Sequence, residues 1–276
     1  MTRAALRIAR GLFGVFACAM LLSACVSTRT STSAAAPPDQ LKDLMTASDE
    51  PDAVKRGRAR MDLAAAYFGR GQMTTALDQI KQSIQADPTS SEAYNLRGLI
   101  YANLGDAALA EDSFRRALQI NPRDADTMQN FGWYLCQLKR YPEGDVLFNQ
   151  ALAIPTYRNA PRTLLTKGIC QANAGQLAEA DASLSRSYEL DPNNPSTAYN
   201  LAEVLYRRAE LERARFAIRQ VNKLQNVSNA ASLWLATRIE HRLGNRQGAN
   251  DFGTQLRNRF PESREASAFD RGAFDE

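Results

Sequence analysis

The sequence is poor in the residues from which most enzymes build an active site. Its 276 residues include one histidine, His241, and four cysteines. A zinc site takes about four ligands, and His241 has Arg238 and Arg242 as neighbours rather than a cluster of Cys, Asp or Glu. Glycine-rich phosphate loops, serine elbows and Cys–His constellations are missing from the sequence as well. We therefore predict no catalytic residue, no metal and no cofactor, and we expect His241 on a solvated helix face.

The sequence also lacks an excess of either charge once its first residues are set aside. Arg3, Arg7 and Arg10 supply most of the formal net charge of +4 and have no acidic neighbours. The remainder is near neutral, without the clustered basic stripe that a nucleic-acid surface requires. Acidic residues such as Glu111 and Asp181 are expected on solvated helix faces rather than in an acid/base pair. We therefore predict neither a nucleic-acid partner nor a small-molecule substrate.

Long apolar runs are scarce, and the clearest one belongs to a leader. Residues 11–22 are apolar and follow the three arginines, but they are fewer than the roughly 20 residues that a transmembrane helix needs. The run ends in Leu-Ser-Ala-Cys at 22–25. Small residues before a cysteine resemble the lipobox at which bacterial prolipoproteins are acylated and cleaved. We predict a signal peptide over 1–24 and a lipid on Cys25; the alternative is an ordinary signal peptide cut near Ala24.

The residues after Cys25 bear on location and reach. Diacylglycerol together with an amide-linked acyl chain would anchor the protein firmly. Val26 and Ser27 follow the cysteine, and lipoproteins of this type without Asp at that place generally sort to the outer membrane. Residues 26–50 are rich in Ser, Thr, Ala and Pro without apolar periodicity. We therefore assign 25–56 to the lipidated cysteine and a flexible tether.

Glycine and proline are infrequent in the remaining sequence, but they recur at a fixed period. The clearest unit, 91–123, combines Gly98, Ala110, Phe114 and Pro122 at offsets 8, 20, 24 and 32. Small residues at the first two positions allow two helices to approach closely, aromatic residues fill the space between them, and proline ends the second helix. This spacing is the tetratricopeptide (TPR) signature, in which a helix–turn–helix unit stacks on its neighbours.

Six such frames can be placed, and they predict an all-α TPR solenoid that forms a right-handed superhelix. The third frame departs from the pattern with Gly144 at offset 20, and the fourth with Gln171 at offset 11. Pro155 and Pro161 predict a stiff loop between these two repeats. The predicted repeats are 57–90, 91–124, 125–158, 161–194, 195–228 and 230–263, followed by a polar tail at 264–276.

Two cysteines remain after Cys18 of the leader and Cys25 are set aside. Cys136 and Cys170 lie at offsets 12 and 10 in the first helices of adjacent repeats. An oxidising periplasm would permit a disulfide between them. The alternative is two buried thiols whose Cα atoms are too far apart, and helix phase decides between these possibilities.

The first helices of a TPR stack line its concave face, so the residues that point there can be assigned from the frame. The face mixes amides with apolar and aromatic side chains, which suits an extended or helical peptide. We expect packing roles for Leu96, Leu165 and Ile169. The residues predicted to bind a partner are Asn95, Leu99, Asn103, Asn130, Trp133, Gln137, Tyr199, Asn200 and Tyr206.

The whole predicted body resembles the type IV pilus biogenesis/stability lipoproteins, the PilF/PilW-type pilotins. Beyond the TPR pattern, the resemblance rests on runs at 130–136 with 139–141, 168–170, 233–240 and 260–263. It implies six TPRs, a lipid anchor in the outer membrane facing the periplasm, and a non-enzymatic role. The implied partner is the secretin subunit, whose localisation and multimerisation would support pilus biogenesis and twitching motility.

A general periplasmic TPR adaptor that organises cell-wall or envelope enzymes is the alternative function. An enzyme carrying a TPR array is more remote, because the sequence offers no second domain.

Overall fold

The computed structural model describes residues 51–224 and 226–274. The predicted signal peptide, Cys25 and nearly all of the tether lie outside these residues. The described part of the chain is helical throughout. Its helices are α1 (Asp52–Gly69), α2 (Met73–Ala86), α3 (Ser91–Leu104), α4 (Ala107–Ile120), α5 (Ala125–Gln137), α6 (Tyr141–Leu152), α7 (Ala160–Asn173), α8 (Leu177–Leu190), α9 (Pro195–Arg207), α10 (Leu211–Asn222), α11 (Ala230–Arg242), α12 (Arg246–Arg259) and α13 (Arg264–Arg271).

Helices α1 to α12 form the six predicted TPR pairs, which confirms an all-α TPR solenoid. Each helix packs against its successor in sequence. The first helices of adjacent repeats also contact each other, whereas the second helices of adjacent repeats do not within the described residues. The stack must therefore curve with its first helices on the inside. We call the side lined by α1, α3, α5, α7, α9 and α11 the concave face.

Small residues set the distance between the two helices of a repeat. A methyl group placed on Gly98 would lie 2.7 Å from the Phe114 ring, which is closer than a Cβ contact tolerates. In the third repeat the contact is backbone against backbone, because a Cβ on Gly144 would lie 2.7 Å from the carbonyl oxygen of Gly132. The departure from alanine at offset 20 therefore has a steric cause: α5 and α6 cross too closely for any side chain there.

The turn between the two helices of a repeat requires a left-handed backbone. Four of the six turns meet this with glycine, for example Gly105 with φ of 81°. In the third and fifth repeats the same turn is made by Lys139, with φ of 60°, and by Ala209, with φ of 59°. These two residues carry the strain that an L side chain incurs in this region.

The structure moves the start of the repeat region and adds a helix after its end. Helix α1 begins at Asp52, so 52–56 belong to the first repeat rather than to the tether. The predicted polar tail contains α13, which Ser263 caps by accepting a hydrogen bond from the amide of Ala266. Helix α13 packs on α11 and α12, and its Phe269 ring fills the space beside Gly253. It therefore covers the end of the sixth repeat as the first helix of a further repeat would.

No helix in the described ranges is long and apolar enough to cross a bilayer.

Candidate functional site

The amides of the second and third repeats form part of the concave face. Asn130 Nδ2 donates to Asn95 Oδ1 at 3.2 Å, which links α5 to α3. Asn103 donates to the carbonyl oxygen of Leu99 at 2.9 Å, and both Asn103 and Gln137 are exposed. A carboxamide has two donor hydrogens and two acceptor lone pairs. These side chains therefore keep hydrogen-bonding capacity for the backbone of a bound peptide.

Two apolar residues predicted on this face are also packing residues. Trp133 is half-buried and packs against the cluster of Cys136, Phe148 and Cys170. Leu99 packs against the cluster that contains Phe114. Trp133 therefore presents part of its ring to the concave face while the rest is fixed from below.

The disulfide that the sequence left open is present in the structure. Cys136 on α5 and Cys170 on α7 are joined, with their Cα atoms 5.8 Å apart, a separation typical of disulfides. Both side chains are buried. The bridge ties together the first helices of the third and fourth repeats directly beneath Trp133. The sequence did not give the rotation of α7 relative to α5. That rotation brings offset 12 of the third repeat opposite offset 10 of the fourth.

The fifth repeat contributes Tyr199, Asn200 and Tyr206, but not all of them are accessible. Tyr199 and Asn200 are half-buried, and Asn200 donates to the carbonyl oxygen of Ser196 at 2.8 Å. Burial raises the pKa of the Tyr199 phenol, and the nearby Glu203 carboxylate adds to that rise.

Tyr206 is 6% exposed, so the prediction that it offers an accessible contact surface is wrong. Arg238 and Arg242 of α11 place their guanidinium carbons 4.7 and 4.8 Å from its ring centre. Two cation–π contacts thus make Tyr206 a joint between the fifth and sixth repeats.

Asp181 is also buried, which corrects its expected place on a solvated face. It accepts hydrogen bonds from Arg208 at 2.8 Å and from Arg213 at 2.9 and 3.1 Å, and both arginines come from the next repeat. Burial alone would raise the pKa of Asp181, but hydrogen bonds from Arg213 and Ser185 outweigh it and hold that pKa below its usual value. The carboxylate therefore joins the fourth repeat to the fifth as an ionised group.

Glu111 has the same offset in the second repeat as Asp181 has in the fourth. Its side chain is mostly buried, which again corrects the expected solvated position. Arg140 of the third repeat spans from Glu111, at 2.6 Å, to Glu143, at 2.6 Å. The hydrogen bond to Glu143 is the largest cause that raises the Arg140 pKa, with Glu111 adding to it. Arg140 lies in the 139–141 run on which the family resemblance rests.

Polar residues at offset 11, where the pattern expects an apolar side chain, also join neighbouring repeats. Gln171 is buried, donates to Asp145 at 3.0 Å and accepts from Ser183 at 2.7 Å. Glu240 is 1% exposed and accepts from Arg219 at 2.9 Å and from Asn245 at 2.7 Å. The role of Glu240 was not predicted, although an acidic residue at an apolar position of the frame was the signal for it.

Comparisons with known proteins agree with this architecture. The model of the tetratricopeptide repeat family matches residues 91–124. The type IV pilus assembly protein PilF of Pseudomonas aeruginosa is 27% identical over 211 residues, which cover 76% of this chain and 83% of that protein. The crystal structure of PilW, a widely conserved type IV pilus biogenesis factor, superimposes with a TM-score of 0.71 at 33% identity. It covers 77% of this chain and 97% of its own.

A structure of Pseudomonas aeruginosa PilF gives the same TM-score of 0.71 at 26% identity, over 80% of this chain and all of that one.

The repeats and their concave face define the chain as a TPR protein. The similarity to PilW extends over 97% of that chain and assigns the protein to one family within the TPR proteins. The chain belongs to the PilF/PilW family of type IV pilus biogenesis TPR proteins, as the resemblance in the sequence predicted.

Proposed function

We propose that the chain is a non-enzymatic lipoprotein of the outer membrane that faces the periplasm and acts as a pilotin. In this role it binds the secretin subunit of the type IV pilus system, brings it to the outer membrane and promotes its multimerisation, which pilus biogenesis and twitching motility require. The observation that carries the proposal is the similarity to PilW over 97% of that chain, combined with a concave face that offers amides and an aromatic side chain.

The concave face supports binding of a peptide segment rather than of a small molecule. Asn95, Asn103 and Asn130 lie on adjacent first helices, with amide groups able to pair with a peptide backbone. Trp133 adds an aromatic surface, which is held in place by packing against Cys136, Phe148 and Cys170. Aromatic anchors beside backbone-binding polar groups are what protein interfaces commonly use.

The proposed location in the outer membrane is inferred from the amino-acid sequence. Cys25 and the signal peptide lie outside the described residues, so the lipid anchor is proposed from the three arginines, the apolar run at 11–22 and the Leu-Ser-Ala-Cys that ends it. Cys25→Ala should leave the helical fold unchanged and move the protein from the membrane fraction to the soluble fraction. Unchanged membrane fractionation of that variant would remove the lipid anchor from the proposal.

The function itself is tested by deletion of the gene. Secretin multimers should then be lost from the outer membrane and should return when the gene is restored. Restoration with an Asn103→Ala/Gln137→Ala variant should be impaired, because both side chains are exposed on the concave face. Val146→Ala on α6 is the matched control, since Val146 is exposed on a second helix.

Normal secretin multimers in the deletion strain would refute the pilotin role. Co-purification with cell-wall enzymes instead of secretin would favour the general periplasmic adaptor.

A further inference from the structure

The segment after α13 turns back onto the sixth repeat. Helix α13 ends at Arg271 and is followed by Gly272, whose φ of 69° is left-handed and therefore suited to glycine. The amide of Ala273 donates to the carbonyl oxygen of Ala268 at 2.9 Å, and the amide of Phe274 donates to that of Gly272 at 3.0 Å. This tight turn directs Phe274 towards α11.

Three side chains of α11 hold Phe274 by its ring and by its backbone. The Phe274 ring stacks on His241, with ring centres 4.0 Å apart and an interplanar angle of 15°. It also stacks on Trp234 at 5.7 Å. Arg238 Nε donates to the carbonyl oxygen of Phe274 at 3.0 Å. His241 is exposed, as expected, but it has an aromatic partner.

These three residues belong to the concave face. Positions 234, 238 and 241 are spaced by four and three residues, so their side chains share one face of α11. In the repeat frame Trp234 takes the position that Tyr199 has in α9, and His241 takes the position of Tyr206. Arg238 also places its guanidinium over the Tyr206 ring. Phe274 is thus bound where a partner segment following the concave face would reach the sixth repeat.

We propose that Trp234, Arg238 and His241 form a binding site for an aromatic residue of a peptide, recognised by its ring and its main-chain carbonyl. Phe274 occupies this site within the chain, and a partner segment with an aromatic residue displaces it. The inference rests on the proposed function and deepens it, because it names the chemistry of one segment that the concave face binds.

The contacts of Phe274 fit a displaceable occupant. Phe274 is half-buried and one of its stacking partners, His241, faces solvent. The turn that carries it follows a helix of eight residues with only two buried side chains, and short elements with few buried contacts open at lower free energy than the body of a fold. Displacement leaves Trp234 in place, because it is buried in a cluster with Leu233, Leu256 and Ala266.

The test uses the full chain and two labelled peptides. The first peptide is Arg-Gly-Ala-Phe-Asp-Glu, which repeats residues 271–276, and the second has Ala in place of Phe. Binding is followed by fluorescence polarisation. Phe274→Ala frees the site, so this variant should bind the first peptide at least about tenfold more tightly than the unmodified chain, whose own residue competes. Phe216→Ala is the control, because it removes an exposed phenylalanine from α10.

Two further results must follow. The Ala peptide should bind at least about tenfold more weakly to Phe274→Ala than the Phe peptide does, and adding Arg238→Gln should weaken the Phe peptide by a similar factor because the carbonyl donor is lost. If Phe274→Ala lowers the unfolding temperature, Phe274→Leu replaces it, since leucine keeps an apolar side chain but cannot stack on His241.

Equal binding of the Phe peptide to the unmodified chain and to a folded Phe274 variant would overturn the inference, as would equal binding of the two peptides. A dimer formed by exchange of the tail between two copies would also overturn it, because the occupant would then be this chain. If the peptide tests fail while secretin assembly still depends on the gene, the proposed function stands and the aromatic site does not. If secretin assembly does not depend on the gene, the proposed function fails and the aromatic site stands.

Discussion

A covalent bond joins the third and fourth repeats, whereas ion pairs join the repeats that follow. Cys136 and Cys170 join the third repeat to the fourth by a covalent bond. Asp181 joins the fourth to the fifth, and Glu240 joins the fifth to the sixth, through buried carboxylates and arginines. The covalent joint depends on redox state, and the joint at Asp181 depends on the ionisation of its carboxylate. A single geometry of stacked helices can therefore respond differently to its surroundings along its length.

Removal of the disulfide should have the largest effect. A loop of 34 residues closed by the bridge corresponds to a stabilisation of about 4 kcal/mol on a chain-entropy estimate. Cys136→Ala/Cys170→Ala should lower the free energy of unfolding by that order in urea titrations. A reducing agent should lower the stability of the unmodified chain and leave that of the double variant unchanged. Equal responses of the two proteins to the reductant would show that the bridge does not form.

Replacement of Glu240 should have the next largest effect. Glu240→Ala leaves Arg219 and Asn245 without their carboxylate in a buried position, at a cost of about 2 kcal/mol, because Arg219 is half-exposed and recovers some hydration. Urea unfolding measures the loss. Glu189→Ala, which removes an exposed pairing with Arg186, is the control and should change stability by less than about 0.5 kcal/mol. Equal losses of unfolding free energy in the two variants would mean that the burial of Glu240 does not increase its contribution to stability.

Acid should weaken the joint at Asp181. The pKa of Asp181 is lower in the folded state than in the unfolded state, so its charge stabilises the fold above the unfolded pKa. That contribution is lost as the pH falls below about 4 towards the folded pKa. The difference in unfolding free energy between the unmodified chain and Asp181→Asn should shrink over this range. A difference that stays constant from neutral pH to pH 2 would contradict the assignment.

The smallest effects belong to the two strained turns, one beside each kind of joint. Ala209→Gly should stabilise the fold by about 1 kcal/mol, because glycine adopts positive φ without the penalty of a side chain. Lys139→Gly should do the same beside the disulfide. Ala182→Gly, at an exposed site inside α8, should instead destabilise by about 1 kcal/mol. Thermal unfolding measures all three, and destabilisation by Ala209→Gly would show that this turn is not strained.

The repeat frame predicted the structural features that depend on contacts within a single repeat, such as helix starts and close helix approaches. Helices α3, α9 and α11 begin at Ser91, Pro195 and Ala230, which are the first residues of the predicted second, fifth and sixth repeats. The close approach of α3 to α4 at Gly98 was predicted from residue size, because both helices belong to one repeat.

Contacts between repeats were harder to predict, because they depend on how far each repeat rotates relative to the one before it. The burial of Tyr206 between two arginines, the pairing of Asp181 across 32 residues and the meeting of Cys136 with Cys170 all depend on that rotation. The polar sequence of α13 concealed a helix whose two buried alanines, Ala266 and Ala268, are too few to give a clear apolar period.

We propose that the concave face of this protein contacts the secretin. A photo-crosslinking amino acid at position 137 on α5, compared with one at position 146 on α6, tests it most directly, because both native residues are exposed on opposite helices of one repeat. In cells that express the type IV pilus system, we predict a secretin adduct from position 137 and none from position 146. Adducts from position 146 alone, or from neither position, would contradict the claim.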